Sequence, residues 1–99
     1  VSQSRECEYF TTDGGAKHYY VIQEYGAPYL WDWREDYCWC FGPFASEDDA
    51  RDHQCDNHSN PGSSEMQGDI DPAESIYARL LASAIPPNAP RDKWKMVGW

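Results

Sequence analysis

A chain of 99 residues carrying a formal charge of −9 has the size of one domain and is too short for a second sizeable core. Charge of that sign repels phosphate backbones and argues against direct nucleic-acid binding. No apolar run nears the roughly 18–20 residues needed to span a bilayer, so no membrane role is expected.

The charge is uneven, −11 over residues 1–85 and +2 over residues 86–99, and it favours a partner protein with a basic surface. Five Trp, seven Tyr and three Phe supply core bulk where Leu is scarce. Val1 to Cys7 lacks the basic and then apolar layout of a signal peptide, which points to the cytoplasm.

From the N-terminus, Glu8 to Thr12 alternates apolar and polar residues and predicts a strand. Asp13-Gly14-Gly15 supplies a tight turn. His18 to Tyr25 predicts a second strand, ended by Gly26-Ala27-Pro28. Tyr29 to Arg34 predicts a third, and Tyr37 to Phe41 a fourth beyond a Glu35-Asp36 turn. Such short connections imply an antiparallel meander. Gly42-Pro43-Phe44 is expected to stop the last strand, because proline has no N–H for a ladder.

Ser46-Glu47-Asp48-Asp49 has the form of a capped helix start with acids in its first turn. That helix runs to His58 on a thin apolar face of Ala50 and Cys55, helped by Phe44. Gly62 to Asp69 reads as a loop. Asp71, Pro72 and Glu74 open a second helix, with Ile76, Tyr77, Leu80, Leu81, Ala84 and Ile85 in one apolar stripe and Pro86-Pro87 as its stop. Residues 86–99 form a Pro-rich basic tail. It reads either as an edge strand, with Trp94 and Met96 on one face and Val97 on the other, or as an arm docking on a neighbour in a larger assembly. The order predicts a single α+β domain over residues 1–99, an antiparallel sheet of three to five strands with two helices packed on one face.

Four side chains have metal-ligating chemistry at suggestive spacing. Cys38 and Cys40 share a face of a predicted strand, and Cys55 and His58 stand three apart on the first helix, so a helix beside that strand would bring them around a tetrahedral Zn²⁺. Disulfides from Cys7 to Cys38, Cys40 or Cys55, or four buried thiols, are the competing readings. A catalytic Cys-His pair is disfavoured, because Asp48, Asp49, Asp52 and Asp56 crowd the helix and raise a thiol pKa. No nucleophile, base and oxyanion group can be assembled, and no enzyme activity is expected. Those four aspartates instead make a candidate contact surface for a basic partner, with Trp31 and Trp33, which share a strand face with Tyr29, as aromatic anchors.

The Phe41-Gly42-Pro43-Phe44-Ala45-Ser46 junction followed by Ala50 resembles the strand-Gly-Pro-Phe-helix step of peptidoglycan-binding SPOR domains. The likeness stops at those residues, since the predicted element order departs from that family's βαββαβ plan, and no function is carried over. The whole profile, short, acidic and rich in aromatics, resembles small phage-encoded accessory proteins of the anti-CRISPR and anti-restriction inhibitor type. The resemblance implies an acidic surface presented to a nucleic-acid-binding site of a partner, in the host cytoplasm.

Overall fold

Alternation in the first third of the chain builds a hairpin. Strand β1 (Glu6–Thr12) and strand β2 (Lys17–Ile22) pair antiparallel, with Cys7 opposite Ile22 and Thr12 opposite Lys17. Asp13, Gly14 and Gly15 all have positive φ, which glycine adopts without steric cost and aspartate tolerates better than most residues. In this computed structural model residues 6–23, 34, 37–58, 63–73 and 75–97 are described. The predicted third strand, Tyr29 to Arg34, lies outside them except for Arg34.

Strand β3 (Trp39–Phe44) pairs antiparallel with β2. Gly42 and Pro43 do not stop it, as the sequence suggests they should; they form a bulge between the Tyr20–Phe41 and His18–Phe44 pairings, across a cis peptide bond. Proline fits because the bulge asks for no N–H there. Gly42 is required: its φ is +145°, and a Cβ would press on the Tyr19 ring and come within 2.9 Å of the His18 carbonyl oxygen.

Helix α1 (Glu47–Asn57) follows, with Ser46 as N-cap. The stretch read as a loop then forms strand β4 (Ser63–Asp69), parallel to β1. Its residues, Ser-Ser-Glu-Met-Gln-Gly-Asp, lack β-branched or alternating apolar character, so backbone pairing with β1 makes it a strand. The sheet is therefore mixed, not purely antiparallel, with strand order β3-β2-β1-β4. Helix α2 (Ser75–Ala82) begins later than Asp71 and Pro72 suggest. The Asp71 carboxylate accepts from the Ala73 N–H at 2.9 Å, closing a turn that precedes the helix; Glu74 lies outside the described residues.

The α+β class holds, but the layering differs from expectation. One face of the sheet buries Cys7, Tyr9, Tyr20, Ile22, Phe41 and Phe44 with Ala50 of α1. The opposite face buries Phe10, Tyr19, Val21, Cys38 and Cys40 with Tyr77 and Leu80 of α2. Both strand faces are apolar, so each needs its own cover.

Ile85 does not continue the α2 stripe. The helix has ended, and Ile85 bridges to Phe41 in the core under α1. Its N–H donates to the Cys40 carbonyl at 2.8 Å, and its carbonyl accepts from Gly42 at 3.0 Å. Val97 does the same lower down, donating to the Cys38 carbonyl at 2.7 Å and accepting from Tyr37 at 2.9 Å. The tail thus closes the outer edge of β3. Among the described residues no helix is long and apolar enough to cross a membrane.

Candidate functional site

The acid-rich face of α1 begins with its cap. Ser46 Oγ accepts from the Asp49 N–H at 3.1 Å, and Glu47, Asp48 and Asp49 occupy the first turn, where the helix dipole stabilises negative charge. Ala50 and Gln54 are the buried residues of α1, and Tyr9 donates its hydroxyl to Gln54 Oε1 at 3.4 Å. That docking fixes which side faces out. Asp48, Asp49, Asp52 and Asp56 are all exposed. Asp48, Asp52 and Asp56 fall four apart and form one row, about 6 Å between neighbours at 1.5 Å rise per residue. The helix's arginine, Arg51, is occupied by Glu47 at 2.7 Å. Among the described residues no lysine or arginine forms an ion pair with the four aspartates.

The aromatic half of the sequence-derived site, Trp31 and Trp33, lies outside the described residues. Trp39 and Trp94 are partly buried, their rings 5.9 Å apart, and Trp94 also packs on Phe41 at 4.6 Å and on His58 at 5.6 Å. Trp94 and Val97 belong to this chain's own cores, which removes them from the docking-arm reading of the tail.

The proposed zinc ligands are not together. Cys38 and Cys40 are buried on the α2 face, while Cys55 is exposed on α1 and His58 packs against Tyr20 and Phe41 on the other face. The sheet stands between the two pairs, because ahead of the bulge the chain through β3 turns Cys38 and Cys40 away from α1 and Phe41 toward it. No cluster of three or more His, Cys, Asp or Glu able to hold a metal occurs among the described residues. Cys55 also does not contribute to the apolar face of α1; Gln54 takes the inward position. None of the four cysteines is in a disulfide, and Cys7, Cys38 and Cys40 are buried. Burial pushes the Cys7 thiol up to about 12 and, with Cys38 adding to it, the Cys40 thiol higher still.

Two polar clusters escaped the sequence reading. Glu8 is 4% exposed and faces the α2 side with Phe10. Arg34 Nη1 donates to Glu8 Oε2 at 2.7 Å and to the Tyr77 hydroxyl at 3.1 Å, and Tyr77 donates to Glu8 Oε1 at 2.9 Å. Burial raises the Glu8 pKa above its usual range, opposed by Tyr77 and Arg34. The available signal was a carboxylate at a core-facing position of an alternating strand.

The second cluster is on the opposite face. His53 Nδ1 lies 2.6 Å from the fully buried Tyr20 hydroxyl, and the Pro87 backbone, which has only a carbonyl to offer, favours the protonated ring. Burial first and His58 second lower the His53 pKa, against Pro87 and Asp56. With these sites in place, comparison of the chain with protein-family models, curated proteins and solved structures finds no match.

Proposed function

We propose that this chain is an acidic protein-binding module that docks on a cationic surface of a partner, of the kind proteins use to hold nucleic acid. The observation that carries the reading is the outward row of Asp48, Asp52 and Asp56 with Asp49 beside it, all exposed and none neutralised by a described lysine or arginine. Their spacing, about 6 Å per helical step, is comparable to that of successive phosphates along a strand. A rigid helix holds these charges in place before encounter, so little ordering cost is added on binding. Burial, which keeps Cys7 and Cys40 protonated, weighs against thiol chemistry at those two positions.

The test is affinity capture from cells by the wild-type chain and by a variant with Asp48, Asp49, Asp52 and Asp56 changed to Asn. The expected partner is basic, is retained by the wild type alone and elutes as salt rises. A partner held equally by the neutralised variant, and indifferent to salt, removes α1 as the site.

A further inference from the structure

The sheet has two edges, and the chain treats them differently. The outer edge of β3 is closed by Ile85 and Val97. At the other end of the sheet, no strand or bridge among the described residues lies outside β4. Every residue from Glu65 to Asp69 is exposed, so this part of β4 meets solvent over both faces of the sheet. Met66 is 51% exposed, the largest value among the big apolar side chains described.

A lone edge strand presents a row of unpaired N–H and C=O groups, which is a template for another strand. Proteins that must avoid this bend or bulge the edge. Here the bulge comes late: the register runs unbroken from Glu6–Ser63 to Tyr9–Met66 and shifts only before Thr11–Asp69, where Gly68 has φ of +72°. Ser63 to Met66 remain regular. The side chains there select by charge. Glu65 is exposed and accepts a hydrogen bond from Gln67 at 3.0 Å, and Asp69 accepts from Thr11 and Gly15. Among the described residues neither carboxylate pairs with a lysine or arginine. Arg51 reaches Met66 Sδ at 3.5 Å, but its charge is taken by Glu47. A second copy of this chain, with a charge of −9 and the same two acids, meets repulsion at this edge. A cationic strand meets attraction.

We propose that the outer edge of β4 accepts a cationic extended segment of a partner protein as an added strand. This rests on the reading of the partner as basic, and it adds a second surface and the bonds that hold it. The probe is a blocked octapeptide of alternating lysine and threonine, with two isomers N-methylated on one or the other alternate set of residues. Backbone amide shifts and hydrogen exchange of the whole chain are followed by NMR at low salt.

The parent peptide is expected to move the amides of Glu65, Met66 and Gln67 and to slow exchange only at the alternate N–H groups that point away from β1. One methylated isomer alone should bind about tenfold or more weakly, since only one alternate set of its N–H groups faces β4 and each lost bond contributes about 1 kcal/mol. Glu65→Lys should weaken the parent peptide. Equal binding by both isomers makes the contact ionic only and overturns the proposal. So does a response confined to α1, which leaves the α1 reading intact, or no response anywhere. Shifts on β4 that grow with protein concentration and no peptide assign the edge to a second copy and overturn it also.

Discussion

Glu8 shows how one misplaced charge organises its surroundings. A carboxylate that is 4% exposed survives because Arg34 and Tyr77 occupy both of its oxygens. Arg34→Met should cost about 1.5–3 kcal/mol, the worth of hydrogen bonds to a charged group. Arg34→Met with Glu8→Gln should recover part of that loss, since the stranded charge is gone; urea unfolding of both variants and of Glu8→Gln alone closes the cycle. His53 sets the opposite pH response. Its folded pKa lies below the usual 6.5, so on acidification the unfolded chain takes up a proton first and stability falls through that window. Glu8, raised above 4.5, binds its proton first in the folded state and gains stability toward acid. Urea midpoints between neutral pH and about pH 5 should therefore fall less for His53→Gln than for the wild type, and more for Glu8→Gln. Alternation in β1 marks Glu8 as facing inward, but nothing local in the sequence indicates its partners or the His53 contacts, because each cluster joins residues far apart in the chain.

Among the elements, those with local chemical signatures were legible. The β1–β2 hairpin follows from alternation plus Asp13-Gly14-Gly15, and α1 follows from Ser46 and its acids. Strand β4 was not legible, since Ser63 to Asp69 carries no strand pattern of its own and takes its conformation from β1. Pro43 misled for the converse reason: its local effect is a break, but the β2 partner accommodates it as a bulge. The end of α1 carries a cost of its own. Its last turn holds Asp56 and no basic residue, and negative charge there opposes the helix dipole. Asp56→Lys should raise thermal stability by about 0.3–1 kcal/mol while weakening capture of a basic partner. A substitution that improved both would detach Asp56 from binding.

For the molecule as a whole, the sequence conveyed the α+β class, the single layer of strands and the surplus of acid, all of which depend on composition and element order. It did not convey that the helices cover opposite faces, because that depends on the parity of β3, where one residue of shift exchanges Cys40 for Phe41. The same parity separated the four zinc candidates. The tail was undecidable from Pro86 onward, since three prolines and three basic residues suit an arm as well as a seal. Its place in both cores predicts that truncation after Pro90, which removes Trp94 and Val97, abolishes cooperative unfolding as followed by circular dichroism; a truncated chain that melts like the parent would restore the free arm. The closure of β3 also bears on synthesis. The register of its outer side is completed by residues synthesised long after the strand itself, so closing that edge depends on contacts of high sequence separation. Until residue 97 has left the ribosome, a nascent chain carries an unfinished β3 margin lined by aromatics, and any delay in translating residues 86–97 extends the interval in which it is prone to aggregate or to engage chaperones.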